Sequence, residues 1–178
     1  MARKVYFALL AISLFAATWG CNTAKTQSNT MKTVEKVDLN RYMGTWYEIA
    51  RLPHSFEKGL VGVTATYSLK KNGKVEVLNA GYKDSLSGKL KRAKGFAKIP
   101  DPNVPGRLMV YFFWPFGGEY LILDLDENYQ HVLIGSSSKN YLWILCRSPK
   151  MDETIYSSLV KKAESLGFDS SRLIKVLQ

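Results

Sequence analysis

Through most of this chain apolar residues recur at every second position, in runs of seven to eleven residues broken by glycine, proline, serine and asparagine. A two-residue period marks a strand with one face buried and the other wetted. Eight such runs are predicted: Thr45 to Leu52, Val61 to Lys70, Lys74 to Lys83, Lys89 to Ile99, Arg107 to Phe113, Glu119 to Leu125, Gln130 to Ser136 and Tyr141 to Arg147. All six prolines fall between runs, as expected where a central strand cannot spare a backbone N–H. Turns such as Lys71-Asn72-Gly73 and Ser137-Ser138-Lys139-Asn140 are short enough to make neighbours antiparallel. The expected fold is all-β, an eight-stranded antiparallel up-and-down β-barrel, with an eight-stranded sandwich as the alternative.

The period then changes from two to about 3.6. Ile155, Leu159, Ala163 and Leu166 form one stripe, Tyr156 and Val160 flank it, and Lys161, Lys162 and Glu164 face away. One C-terminal α-helix is predicted from about Asp152 to Leu166, with Asp152 as N-cap and Gly167 just past its end. Its stripe should pack outside the barrel wall over Leu142, Ile144 and Cys146.

The N-terminus follows neither period. Arg3 and Lys4 precede an apolar run from Val5 to Ala17 and small residues leading to Gly20-Cys21, which reads as an export signal over residues 1–20. The stretch resembles the lipobox of bacterial lipoproteins, departing from it at Thr18 and Trp19, and so implies acylation of Cys21 after cleavage at Gly20. By the same resemblance Asn22, where an Asp would retain the protein at the inner membrane, directs it to the outer membrane, lipid-anchored and facing the periplasm. Residues 21–37 are polar and read as a flexible tether, leaving 38–178 as the folded domain. A Cys21–Cys146 disulfide is the alternative use of the two cysteines.

The formal charge is +10, and removing Arg3 and Lys4 with the leader leaves 23 basic against 15 acidic residues, or +8. The basic residues are scattered and accompany no nucleic-acid-binding motif, so anionic lipid headgroups are the expected electrostatic partner and nucleic acid is not.

Up-and-down connectivity brings three features to one end of the barrel: Gly44 and Trp46 opening the first strand, Asp126 in the turn after the sixth, and Arg147 ending the eighth. A Gly-x-Trp, an acidic turn and a late arginine in this order resemble the lipocalin pattern, and the chain is similar to bacterial lipocalins from about Asp38 to Gln178. The resemblance implies a closed barrel end in which Arg147 lies over the Trp46 ring, with Val37 to Met43 as a plug, and assigns these residues to structure.

Alternation counted from Trp46 and Arg147 predicts the interior. Ligand-lining positions are Ala50, Ala65, Tyr67, Val77, Asn79, Val110, Phe112, Tyr120, Ile122, Tyr141 and Trp143, and Glu48 also turns inward, where a tyrosine is the expected hydrogen-bond partner. Small residues on one side and aromatic ones on the other leave a slot suited to a fatty-acyl chain with its polar head near the mouth. Mouth loops are expected at His54-Ser55-Phe56, Ser85-Leu86-Ser87, Phe113 to Phe116 and Ser136 to Ser138. On strand five Met109, Tyr111 and Phe113 are apolar at outward positions, which points to a homodimer or membrane contact.

Catalytic patterns are absent from the sequence: there is no Gly-x-Ser-x-Gly elbow, Cys-His pairing or phosphate-cradling loop. Asp124-x-Asp126-x-Asn128 imitates a calcium loop, but Tyr129 and Gly135 replace its required glycine and glutamate, so no metal or other cofactor is expected. The expected function is binding, storage or transport of fatty acids, lysophospholipids or related membrane lipids. The alternatives are a lipid-modifying, isomerase-type enzyme using Glu48, and a carrier of another apolar ligand.

Overall fold

The computed structural model describes residues 31–178. The expected leader, Cys21 and the first part of the tether lie outside them. A single turn of helix, α1 (Leu39–Tyr42), leads into β1 (Gly44–Arg51), β2 (Leu60–Leu69), β3 (Val75–Lys83), β4 (Leu90–Lys98), β5 (Arg107–Phe113), β6 (Phe116–Leu125), β7 (His131–Gly135) and β8 (Leu142–Cys146). The helix α2 (Glu153–Ser165) and a two-residue strand β9 (Ile174–Lys175) follow.

From β1 to β8 each strand pairs antiparallel with its sequence neighbour, and β1 pairs with both β2 and β8, which closes the barrel and excludes the sandwich. Strand β6 starts three residues before its expected position because it folds back at Trp114-Pro115, where Phe113 pairs with Phe116. Gly117 and Gly118 interrupt the apolar alternation there and hide the strand from a reading by period.

The two faces of the wall bury two separate clusters. The inner one holds Trp46, Tyr67, Val77, Ile122, Val132 and Leu145. The outer one holds Leu121, Leu133, Leu142 and Ile144 of the wall together with Leu159 and Ala163 of α2 and Phe168 beyond it. Asp152 caps α2 by accepting from the backbone N–H of Thr154 and Ile155, at 2.8 and 3.2 Å. Burying a side chain such as Leu159 stabilises this docking by about 1.5–3 kcal/mol.

One expected interior position is corrected by the strand pairing. Between Glu48 and Ala50 the β1–β8 register shifts: Glu48 pairs with Leu145, but Ala50 pairs with Ile144 and Arg51 with Trp143. A bulge of this kind inserts one residue and inverts the facing of everything after it. Ala50 therefore lies in the outer cluster and does not line the interior, while Arg51 is turned inward and buried.

The bulge also separates β1 from β2, whose pairing covers only Gly44 to Tyr47. The C-terminal tail fills the resulting seam. β9 pairs with Ala50 and Arg51, Val176 N donates to Ile49 O, and Gln178 Nε2 donates to the carbonyls of Glu48 (2.6 Å) and Val63 (3.0 Å). At the other terminus residues 31–37, expected in the tether, lie on the barrel. Met31 packs on the outer cluster, Val34 and Val37 pack on the inner one, and Val34 N donates to Ile122 O.

Candidate functional site: the barrel interior and its mouth

The closed end satisfies its own polar groups. The Arg147 guanidinium lies 3.9 Å from the centre of the Trp46 ring and donates to the carbonyls of Thr45, Arg41, Tyr42 and Met43 at 2.7–3.1 Å. Trp46 Nε1 donates to Tyr42 O at 2.9 Å. Gly44 has φ +93°, and a Cβ there would meet Arg147 Nη1 at 3.3 Å, so the first residue of β1 has both a conformational and a steric reason to be glycine. Asp126 accepts from the backbone N–H of Asn128, Gln130 and His131 and so holds the β6–β7 turn. Burial pushes the Asp126 carboxyl up, but those three donors outweigh it and hold the group below its usual range. This explains the Asp-x-Asp-x-Asn motif as a turn rather than a metal loop.

Above that plug stands a layer of three tyrosines. Tyr120 Oη is 2.7 Å from Tyr42 Oη and 2.9 Å from Tyr67 Oη. Burial raises all three phenols well above their ordinary range, so they stay protonated and act as hydrogen-bonding groups. Beside them a void of only about 10 Å³ remains, lined in part by Val75, Ala97, Leu108, Val110 and Ile122. That is at the limit of what one water fills, so Ile122 and the tyrosines form a floor.

Toward the mouth the interior is open. Asn79, Gly95, Val110, Phe112 and Trp143 lie at inward positions yet are only half-buried, and Ala93, paired with Asn79, is exposed. Side chains that face the inside of a closed barrel and still meet solvent define a cup open at one end. Ala65 and Val77 are buried in its wall, and Tyr141 stands at the rim, stacked on Trp143 at 5.9 Å. A Cβ on Gly95 would come within 2.9 Å of the Phe112 ring, so this glycine lets that ring lie against the wall. Asn79 Oδ1 is buried and has no hydrogen-bond partner.

A polar cluster that the sequence did not reveal sits in the same region. Glu48 does face inward, but its partner is Arg51 (2.6 Å) rather than a tyrosine. Arg51 also donates to Glu57 O (2.9 Å) and Leu60 O (3.1 Å), which ties the β1–β2 loop across the mouth. Glu57 Oε2 accepts from Trp143 Nε1 at 3.3 Å and lies 3.0 Å from His54 Nε2, an ion-pair distance without the alignment of a hydrogen bond. Burial, and next the neighbouring Glu57 charge, push the Glu48 carboxyl well above its usual range despite Arg51. His54, expected in an open loop, is folded under the stacked Phe56 ring at 3.9 Å, with its side chain only 4% exposed. No local signal foretells this cluster, because Arg51 reads as outward until the bulge is known and Glu57 and His54 belong to a loop.

Residues 37–178 match the model of the lipocalin-like domain. The chain is 42% identical over 149 residues to the outer membrane lipoprotein Blc of Vibrio cholerae, covering 83% of this chain and 86% of that one. It is 39% identical to the protein of the same name in Escherichia coli K12, with 88% of each covered, and 40% identical to temperature-induced lipocalin-1 of Arabidopsis thaliana, with 86% of each covered. Among solved structures, insecticyanin of the tobacco hornworm superposes with a TM-score of 0.66 at 21% identity, over 82% of this chain and 83% of that one, and so shares the fold. With the arginine-capped tryptophan, the eight-stranded closed barrel and the outer helix all in place, the chain belongs to the lipocalin-like family.

Proposed function

We propose that this chain binds a fatty acid, a lysophospholipid or a related single-chain membrane amphiphile inside its barrel, and stores or carries it at the periplasmic side of the outer membrane, to which lipid on Cys21 ties it. The observation that carries the reading is the cup itself: an apolar and aromatic lining, solvent-reached above a floor closed by three tyrosines. A barrel of eight strands has room for one such chain, and a lining of this kind sets shape more than chemistry. Ala65, Val77, Val110 and Phe112 line the wall against an acyl chain, while the unpartnered Asn79 Oδ1 and the Tyr141–Trp143 pair stand where a polar head would rest. The names of the bacterial relatives support the location.

Glu48 does not favour turnover. Its carboxyl is held by Arg51 on the inside of the β1–β2 loop, which suits closing that loop better than delivering a proton to a ligand. Pairing of two copies through Met109 and Tyr111 is supported only weakly, since Tyr111 stacks within its own chain on Phe96 at 5.0 Å. Sedimentation at increasing concentration, with Tyr111→Asp as control, tests it.

The binding reading is tested by titrating Trp143 fluorescence with palmitate, using Trp114→Phe to remove the exposed tryptophan signal. A change that saturates at one equivalent, and that a lysophospholipid competes away, is expected. An emission spectrum that no amphiphile perturbs would overturn the reading.

A further inference from the structure

The exposed apolar residues are not scattered. Among the described residues nine large hydrophobic side chains are exposed, and six of them stand at the mouth: Phe56 (58%), Leu86 (45%), Phe113 (80%), Trp114 (68%), Phe116 (80%) and Tyr141 (37%). At the closed end only Leu69 is comparable. Three of the six occupy the tip of one hairpin, the β5–β6 turn, and Trp114 continues that surface down the outer wall, its ring tilted against Tyr111 at 5.4 Å. Strand ends of this kind are normally finished with polar turns, and an apolar patch left open to water marks a surface that something covers.

Charge identifies the cover. Around the same rim Lys58, Lys83, Lys89, Lys91, Arg92 and Lys139 are exposed, and the one exposed acid in the mouth loops, Asp84, is paired with Lys83. Of the other acids there, Glu57 is buried within the polar cluster, and Glu119 is paired with Arg107 while accepting from Ser137 N. The turns of the closed end, by contrast, mix lysines with Asp101, Asp126 and Glu127. A second copy docking mouth to mouth would set this basic rim against itself, because a two-fold contact presents the same patch from both sides. A bilayer with anionic headgroups matches both layers: lysines meet the headgroups, and aromatic tips reach the boundary between headgroups and chains.

We propose that the barrel docks mouth-down on an anionic bilayer, with the Phe113–Phe116 hairpin inserted and the basic rim on the headgroups. The contact sits beside the opening of the cup. An acyl chain then passes between bilayer and interior without crossing water. Docking stands apart from the ligand reading, on which only this last consequence rests.

The experiment is quenching of tryptophan in the full-length protein, isolated from membranes, by vesicles whose chains carry bromine. The expected result is quenching with vesicles containing phosphatidylglycerol, weaker with phosphatidylcholine alone or in high salt, and absent from the Trp114→Phe protein. Because lipid on Cys21 holds the chain to vesicles in any case, quenching and not co-sedimentation is the readout. Phe113→Ser with Phe116→Ser should raise the anionic lipid needed for half-maximal quenching about tenfold. Two results would overturn the proposal. In one, Trp114 emission is untouched by brominated chains and stays open to aqueous acrylamide on vesicles. In the other, Trp114 is already shielded without vesicles in a concentration-dependent way, which would show a second copy covering the hairpin. Palmitate titration in vesicle-free solution separates the two readings, since docking can fail while Trp143 still reports a ligand.

Discussion

The two ends of this barrel are built by opposite rules. At the closed end each prominent polar group finds a protein partner: Arg147 spreads over five backbone carbonyls, those of Arg41, Tyr42, Met43, Thr45 and Tyr129, Trp46 donates to Tyr42, and Asp126 accepts three backbone N–H groups. At the open end Asn79 Oδ1 and both ring nitrogens of His54 are buried without hydrogen bonds, and aromatic side chains stand in water. Unsatisfied groups cost stability, and a protein retains them where binding or docking compensates. The carboxylates make the same contrast. Asp126 at the floor is held below its usual range by backbone donors, whereas burial and the charge of Glu57 push Glu48 at the mouth above its own. The closed end holds the fold together, and the open end handles what enters it.

This contrast is broken or sharpened most strongly at the floor. Trp46→Ala removes a fully buried ring and the platform beneath Arg147, and should cost about 3–5 kcal/mol. Equilibrium unfolding in urea measures the loss, and a loss below about 1 kcal/mol would mean the plug does not hold the barrel together. Next in size, Asp126→Ala should cost on the order of 1 kcal/mol at neutral pH. A carboxylate whose folded pKa is lowered lends stability above its unfolded pKa and withdraws it as pH falls. The variant should therefore lose the part of the acid-side decline that Asp126 supplies, seen as convergence of the two Tm curves toward low pH.

Glu48 carries the opposite sign. With its folded pKa raised, the folded state holds the proton more tightly, so stability falls as pH rises from the ordinary carboxyl range through the folded value. Glu48→Gln should flatten that fall, and the difference in Tm between the variant and the wild type should shift in favour of the variant as pH rises. A difference that does not vary with pH would place the carboxyl in an unshifted environment. The smallest effect on stability belongs to the rim. Phe116→Ser is expected to change unfolding free energy by less than about 0.5 kcal/mol, because the side chain is 80% exposed, while it weakens vesicle docking. A large loss of stability there would show that the hairpin packs on something within the fold.

Most of the wall was legible in the chain. Runs such as Val75-Glu76-Val77 place apolar residues at every second position because one face of a barrel strand is buried, and Pro53, Pro115 and Pro149 punctuate the runs because a ladder has no use for them. The Gly44, Trp46, Asp126 and Arg147 set was legible for a related reason: each acts through chemistry specific to its residue type, and counting strand directions brings all four to one end.

What the sequence by itself determined, then, was the number and direction of the strands, the place and stripe of α2, and the group that closes the floor. These follow from periodicity and residue type, which are local. Tertiary structure decided which way β1 faces after Glu48, and with it the inward turn of Arg51, the outward turn of Ala50 and the buried Glu48, Arg51 and Glu57 cluster. The reason is that the register of β1 is set by Ile144 and Trp143 on β8, about two-thirds of the domain away along the chain, and one bulged residue reverses an alternation that no single run can reveal. The C-terminal tail in the seam and residues 31–37 on the wall have the same origin. Each fills space that exists only once the barrel has closed.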